Sequence, residues 1–244
     1  MRFSVFALSS VPDVVTARRN LALDDLDDKA VAKVLFHQRK QRTGSSENLR
    51  WDERMLASVS IIHHSIDNVQ IVTHDFASDD EPAMLRAYYT SALRSGCMVS
   101  WNPDALDLPL VHFRSLLHRV SYPAYWDAIN ERSDFHLSIV DRLAPGGSDL
   151  PSLDSIARKV GFPGMLGRGE DAVYEGWLRR DSTDAVAASD LAALNSYLLA
   201  LRVFSLTGQV TRHDVERVEV RLRGDLSARK AGHFTDFLRA WERA

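Results

Sequence analysis

The alternation of hydrophobic and polar positions predicts a chain that begins with β-strands. Short β-prone runs predict a first strand at residues 2–8 and a hairpin made of residues 57–62 and 69–73. Compact apolar runs at residues 97–101 and 135–140 predict two further buried strands. This order of strands predicts a sheet that mixes antiparallel and parallel neighbours.

Apolar residues at helical spacing predict the helices between and after these strands. A three-stranded antiparallel start that continues into β-α-β units predicts an α/β fold, a mixed sheet flanked by helices. The longest helix has a stripe that is expected to be buried, made of Leu191, Leu194, Leu198 and Leu201. The predicted helices are residues 21–42, 78–96, 108–120, 152–160 and 183–206, followed by a charged helical tail at residues 211–244.

Composition and charge narrow the function classes. Hydrophobic residues make up 45% of the 244-residue chain and charged residues 26%, which is typical of a globular protein with a sizeable core. The formal net charge of −3 provides no overall attraction to nucleic acid, so such contacts need a local basic face.

The single cysteine, Cys97, excludes an intrachain disulfide and is expected to be buried. The sequence has neither a leader-like N-terminus nor an apolar stretch of about 20 residues, so we expect a cytoplasmic protein without membrane contact.

The most informative segment lies where a predicted buried strand meets a predicted helix. Trp101 and Asn102 end the strand, and Asp107 opens the helix. Strand ends of this kind are where α/β proteins place functional groups, although an aspartate there also serves as a helix cap. Asp107 is therefore a candidate for both roles.

Five motifs, in the same order, resemble those of the predicted 3′-5′ exonucleases related to the proofreading domain of family B DNA polymerases. In the second motif, Trp101-Asn102 is followed five residues later by Asp107-Leu108-Pro109. The resemblance implies a ribonuclease H-like exonuclease domain of the DEDD superfamily at residues 1–208, with a helical extension at residues 209–244. The other motifs are residues 5–13, 135–138, 161–164 and 195–202.

The resemblance also implies where the family's metal-binding acids lie. Members use four acids to hold two divalent ions, because displacement at phosphorus needs charge stabilisation at both the attacking and the leaving oxygen. Hard ions such as Mg²⁺ and Mn²⁺ require carboxylate oxygen, which alanine and serine lack. Of the four acids only Asp107 is present. The other three acids are replaced by Ala7 and Ser9 in the first motif and by Ala192 on the helix at residues 183–206. Ala188 replaces the Tyr or His that orients the attacking water, Ser138 replaces an aspartate after the last strand, and Met165 replaces a lysine.

We therefore expect hydrolysis to be lost. The leading hypothesis is a catalytically inactive, exonuclease-like protein that needs no cofactor and acts by binding. The resemblance leaves three partners open: single-stranded nucleic acid, a replication or repair protein, and a second copy of the chain. The residues expected to contact nucleic acid are Trp101, Asn102, Arg39, Lys40 and Arg42.

The alternative hypothesis is an active metal-dependent 3′-5′ exonuclease with a rearranged carboxylate site. Asp107 then holds Mg²⁺ or Mn²⁺ together with acids from other positions. Asp190 is close in sequence to Ala192, but it lies about 200° round the helix from it and is expected to point away. Under both hypotheses, strand-end geometry places Ala7, Ser9, Asp107 and Ala192 in one cleft at the sheet surface.

Overall fold

A five-stranded sheet forms the centre of the computed structural model, which describes residues 2–65 and 68–243. The strands are β1 (Phe3–Pro12), β2 (Arg54–Ser65), β3 (Asn68–Asp75), β4 (Met98–Ser100) and β5 (His136–Ser138). Their order across the sheet is β3-β2-β1-β4-β5. β2 pairs antiparallel with β1 and β3, whereas β4 pairs parallel with β1 and β5. The predicted mixed sheet of an α/β fold is confirmed; within the predicted hairpin turn, Ile66 and Asp67 lie outside the described residues.

Two helices lie in this part of the chain: the second corresponds to the helix predicted at residues 21–42 but begins later, and the first was not predicted. The first, α1 (Val14–Leu21), ends at Ala22, which adopts a left-handed φ of 51°. The second, α2 (Asp28–Thr43), begins after Asp27, whose Oδ1 accepts a hydrogen bond from the Ala30 amide at 2.7 Å. Apolar residues at helical spacing continue through residues 22–27, so in the sequence only the N-cap residue Asp27 indicates where α2 begins. The later helices are α3 (Glu81–Ser95), α4 (Asp107–His118), α5 (Pro123–Glu131), α6 (Ile139–Leu143), α7 (Leu153–Lys159), α8 (Glu170–Leu178), α9 (Thr183–Leu206), α10 (Arg212–Ser227) and α11 (Gly232–Trp241).

Helix α9 coincides with its predicted bounds and is the central helix of the fold. The predicted stripe of Leu191, Leu194, Leu198 and Leu201 is buried. By length and composition alone α9 is able to cross a membrane, but 83% of its most apolar 18-residue stretch is buried inside the fold. Its hydrophobic character is therefore explained by its packing.

The sheet separates two layers of core because alternate residues of a strand face opposite sides. Phe3 and Val5 of β1 pack with the residues of α9. Phe6 packs on the other side, where its ring makes an edge-to-face contact with Tyr88 of α3 at 5.1 Å between centroids. β1 therefore lies between α9 and α3.

Helices α10 and α11 pack into the same core as α9. Leu222 of α10 and Phe237 of α11 are fully buried in the hydrophobic cluster that surrounds α9. Trp241 joins the same cluster. The charged tail is therefore helical as expected, and its inner faces are continuous with the main core; the domain boundary at residue 208 stays a prediction.

Candidate functional site

A cleft of about 580 Å³ lies beside the carboxyl-terminal half of β1, and we call it the β1 cleft. Ser9 of β1 lines it together with Ala188 and Ala192 of α9. Leu106, just before α4, and Met165, from the segment between α7 and α8, also line it. The volume lies within the range of about 300–1,000 Å³ that is typical of small-molecule sites.

Small side chains on β1 and α9 occupy the positions that the resemblance assigns to three acids (Ala7, Ser9 and Ala192) and to a water-orienting Tyr or His (Ala188). Ala7 is buried in the core on the α9 side of the sheet, and it directly precedes Leu8 and Ser9, which line the cleft. Ala188 and Ala192 are one helical turn apart, so both present a methyl group toward the same space. The structure thus brings Ser9, Ala188 and Ala192 together as expected, without a carboxylate among them.

The hydroxyl of Ser9 is part of a buried serine chain. Ser9 Oγ lies 2.8 Å from Ser58 Oγ on the neighbouring strand β2. Ser58 Oγ in turn lies 2.7 Å from both the Ala185 carbonyl oxygen and Ser189 Oγ on α9. The chain joins β1, β2 and α9 through neutral hydroxyls, and the β-bulge between Ser9 and Ser10 occurs at this point of the strand pairing.

Asp107 lies at the border of the β1 cleft and is absent from its lining. It is the first residue of α4 and is half-buried, and it follows directly on Leu106, which does line the cleft. Burial raises the pKa of Tyr88 on α3, and the negative charge of Asp107 adds to that rise. Asp107 therefore acts electrostatically on the Phe6 side of the sheet, and the expected grouping of Ala7, Ser9, Asp107 and Ala192 is found only in part.

Burial also changes the charge of Asp107. Loss of solvation raises the pKa of this carboxyl to about 7. A metal ligand needs the ionised form, and near neutral pH this carboxyl is only partly ionised. A metal ion at Asp107 therefore competes with a proton near neutral pH.

Two acids that sequence reasoning missed do line the β1 cleft, and both are paired with arginines. Asp154 of α7 accepts a hydrogen bond from the Met165 amide at 2.8 Å and forms an ion pair with Arg158 at 2.7 Å. Glu170, at the start of α8, forms an ion pair with the buried Arg54 at 2.9 Å. Both acids lie in the first turn of a helix, where an acidic side chain stabilises the helix dipole. The sequence therefore gives no sign that these two acids line a cleft.

The metal pair that the family implies does not fit these residues. The acids of the cleft are paired with arginines, and the other lining side chains are hydroxyl, hydrocarbon, thioether and guanidinium groups that hard dications bind poorly. Within residues 2–65 and 68–243, no three His, Cys, Asp or Glu side chains are arranged to hold a metal ion. We therefore derive no catalytic step through a metal.

Ser138 lies away from the cleft and caps a helix. The strand predicted at residues 135–140 ends at Ser138, because its Oγ accepts a hydrogen bond from the Asp141 amide at 3.2 Å and α6 begins there. Ser138 Oγ also lies 3.4 Å from the carbonyl oxygen of Trp101. Trp101 itself is half-buried and packs against the α9 side of the core, and Asn102 is half-buried beside it.

The three basic residues in the last part of α2, Arg39, Lys40 and Arg42, contact the segment that follows this helix. Arg39 Nε donates to the carbonyl oxygen of Asn48 at 2.9 Å. Lys40 pairs with Glu47 at 2.8 Å, and Arg42 pairs with Glu53 at 3.4 Å. Arg39, Lys40 and Arg42 do not line the β1 cleft. Their charges are therefore partly compensated, and they form a surface separate from the cleft.

Asp190 points away from the β1 cleft, as expected. Its Oδ1 accepts hydrogen bonds from Ser60 Oγ at 2.7 Å and Thr73 Oγ1 at 2.5 Å. Its Oδ2 accepts a hydrogen bond from His233 Nε2 at 2.8 Å. Asp190 therefore serves the packing of α9, β2, β3 and α11, and it is no substitute ligand for the cleft.

Comparison with known proteins gives one clear relationship. The family of predicted 3′-5′ exonucleases related to the exonuclease domain of PolB matches residues 46–241, most of the chain. The match includes β2 to β5 and extends through α10 and α11, whereas β1 with Ala7 and Ser9 precedes it. No curated protein matches the chain. The mixed five-stranded sheet flanked by helices agrees with the ribonuclease H-like fold expected of such exonucleases, and the chain belongs to this exonuclease-like family.

Proposed function

We propose that this chain is a non-catalytic member of its family that binds an end of single-stranded nucleic acid in the β1 cleft without hydrolysing it. The observation that carries the proposal is the lining of the cleft: Ser9 and Ala192 stand where the family resemblance requires acids, and Ala188 stands where it requires a Tyr or His that orients water. Because hydrolysis by the family mechanism needs two dications and several carboxylates, this lining supports a loss of cleavage.

The size and lining of the cleft support binding of a nucleotide-sized group. Apolar side chains such as Leu106, Met165 and Val173 offer a surface on which a base or sugar can pack. Arg168 also lines the cleft, although it is paired with Asp184. Replacing acids by neutral groups also lowers the repulsion that a phosphate meets.

The basic residues of α2 and the Trp101-Asn102 pair are secondary in this proposal. Arg39, Lys40 and Arg42 reach a phosphate only after giving up compensated contacts, such as the Lys40–Glu47 ion pair. Trp101 is partly covered by the core. We therefore assign the main binding energy to the cleft, with α2 adding a salt-dependent contribution.

The test blocks the cleft with a larger side chain and measures binding and cleavage separately. Ala192→Leu places an isobutyl group at the cleft wall, and Ala228→Leu, on an exposed residue after α10, is the matched control. Fluorescence anisotropy with a 3′-labelled single-stranded oligonucleotide at several salt concentrations gives the affinity. We expect at least tenfold weaker binding for Ala192→Leu and native affinity for Ala228→Leu.

Cleavage is measured on the same oligonucleotide with Mg²⁺ or Mn²⁺. We expect no metal-dependent shortening by the native protein. Robust shortening that Asp107→Ala abolishes would show instead an active exonuclease with a rearranged carboxylate site. Equal affinity of Ala192→Leu and the native protein for the oligonucleotide would contradict binding in the cleft.

A further inference from the structure

A small cationic pocket lies at the other end of β1 from the cleft. We call it the N-edge pocket; it has a volume of about 50 Å³ and is lined by Arg2, Ser4, His63, His64, Ser65 and Arg94, among others. Ser4 and Ser9 are five positions apart on one strand, a separation of about 17 Å at the usual rise of about 3.3 Å per residue. The pocket is therefore separate from the β1 cleft.

No carboxylate among the described residues compensates the charge of the N-edge pocket. Arg2 and Arg94 are both exposed, and neither forms an ion pair with a residue that the structure describes. None of the described lining residues is acidic. Many other arginines of this chain pair with a carboxylate, for example Arg18 with Asp28 at 2.8 Å. Two unpaired guanidinium groups at one small concavity produce a positive potential that attracts anions.

Electrostatic effects on the histidines agree with this arrangement. Burial lowers the pKa of His63, and the positive charges of Arg94 and Arg2 lower it further. His63 Nδ1 and the Ser4 hydroxyl are hydrogen-bonded at 2.7 Å, so the other ring nitrogen is left for a different partner. Both arginines thus act on the same ring that lines the pocket.

We propose that the N-edge pocket binds a phosphate group through the guanidinium groups of Arg2 and Arg94. Arginine matches the geometry of phosphate oxygens with paired, charge-assisted hydrogen bonds. The Ser65 hydroxyl, which donates to the Asn68 carbonyl oxygen at 3.4 Å, also lines the pocket.

The size of the pocket limits the ligand. A water molecule needs about 10–15 Å³ of such volume, so the pocket accommodates a few waters or one tetrahedral anion that displaces them. It is too small for a nucleoside. A bound phosphate is therefore either free inorganic phosphate or the terminal phosphate of a nucleotide chain whose remainder lies in solvent. This site goes beyond the proposed function and does not depend on the β1 cleft.

The first experiment is calorimetric titration of the full chain with inorganic phosphate at constant ionic strength. We expect saturable one-to-one binding by the native protein, weakened at least tenfold by Arg2→Gln and by Arg94→Gln, the loss expected for one charge-assisted hydrogen bond to an anion. Arg19→Gln removes an exposed arginine of α1 that has no ion-paired partner among the described residues, and it is the matched control. It should bind as the native protein does.

A second measurement distinguishes loss of the phosphate site from misfolding of a variant and from a general effect of its changed charge. The imidazole NMR signals of His63 should shift on addition of phosphate to the native protein, and not in Arg94→Gln. Non-saturable binding, or equal weakening by Arg19→Gln, would overturn the proposal. Ala192→Leu should leave phosphate binding unchanged, which keeps this test independent of the one for the cleft.

A comparison with dinucleotides identifies the source of the phosphate. A 5′-phosphorylated dinucleotide is compared with its unphosphorylated form and with inorganic phosphate. Tighter binding of the phosphorylated dinucleotide than of inorganic phosphate assigns the pocket to a nucleic-acid end; equal or weaker binding assigns it to the free anion. Binding of the unphosphorylated dinucleotide with the same affinity as its phosphorylated form contradicts a phosphate site.

Discussion

Asp190 of α9 and His233 of α11 are joined by a buried hydrogen bond of 2.8 Å between the imidazole Nε2 and the carboxylate Oδ2. Ser60 and Thr73 donate to the other carboxylate oxygen from β2 and β3. The contact therefore connects the sheet and the central helix to the last helix of the chain. It also gives Asp190 a structural role that accounts for its burial without metal binding.

Removing His233 should destabilise the whole fold. His233→Ala leaves a buried carboxylate oxygen of Asp190 without its partner, and such losses cost about 1–3 kcal/mol. We expect the free energy of unfolding in urea to fall by that amount. His213→Ala, at an exposed position of α10, is the control and should change stability by no more than about 0.5 kcal/mol. Loss of helical signal from α11 alone, at unchanged global stability, would show that the C-terminal helices unfold independently.

A second buried charge network holds α4 against the start of α1. Arg114 of α4 pairs with Asp13, the N-cap residue of α1, and its Nε donates to Glu81 at 2.8 Å. Arg114→Leu leaves the buried Asp13 carboxylate without its counter-charge and leaves His118, at 2.7 Å, as the side-chain partner of Glu81, so we expect a loss of about 3–5 kcal/mol in the free energy of unfolding. Arg86→Leu, on an exposed residue of α3, should be nearly neutral. A small effect of Arg114→Leu in urea unfolding would mean that water solvates the network.

Helix α9 provides a direct test of core packing. Leu198 is fully buried, whereas Leu206 near the end of the same helix is 78% exposed. Leu198→Ala should reduce the free energy of unfolding by about 2–5 kcal/mol, because it opens a cavity in the core. Leu206→Ala should change it by less than about 0.5 kcal/mol. Similar urea midpoints for the two variants would contradict the observed packing of α9.

Strongly periodic segments were predictable from the sequence, and side-chain directions at the site were not. The stripe of leucines predicted which face of α9 is buried, because only a helix places these four leucines on one side. The electrostatic effect of Asp107 on Tyr88 depends instead on how α4 packs beside α3. The partners of Asp154 and Glu170 are likewise set by tertiary packing, so a first-turn acid on a helix gave no sign that it lines a cleft.

The pH dependence of stability should reveal the burial of Asp107. Its folded pKa is raised to about 7, above the value of about 3.9 for an unfolded aspartate. Between about pH 4 and pH 7 the folded form therefore retains a proton that the unfolded form releases, so this group makes stability fall as pH rises. The change is at most about 1.4 kcal/mol for each unit of pKa shift.

Asp107→Asn removes this contribution. We expect the variant to gain stability relative to the native protein as pH rises from 4 to 8, measured by urea unfolding across that range. Asp104→Asn, at an exposed position in the preceding turn, is the control and should track the native protein. A difference between Asp107→Asn and native protein that does not vary with pH would show that the carboxyl is well solvated.

Restoring the lost acids should create a metal-binding cleft. Ala7→Asp, Ser9→Glu and Ala192→Asp together place three carboxylates at or beside the β1 cleft. Without metal, their mutual repulsion and the burial of position 7 should lower the melting temperature. Mn²⁺ should then raise the melting temperature of the triple variant by mass action and leave the native protein unchanged. Single substitutions should respond little, because two metal ions need the whole ligand set.

A control variant tests whether the restored acids act through their position or only through their added negative charge. A control with Ser45→Glu, Val160→Asp and Ala228→Asp adds the same three charges at separated, exposed positions, and Mn²⁺ should not stabilise it. Because Asp107 acts toward Tyr88, outside the cleft lining, we expect metal binding to return before cleavage of a 3′-labelled oligonucleotide does. Adding Ala188→Tyr then tests water positioning, to which general acid-base catalysis assigns about 10²–10⁴-fold in rate. Stabilisation of the native protein by Mn²⁺ equal to that of the triple variant would show that the native chain already has a metal site, and the non-catalytic proposal would lose its basis.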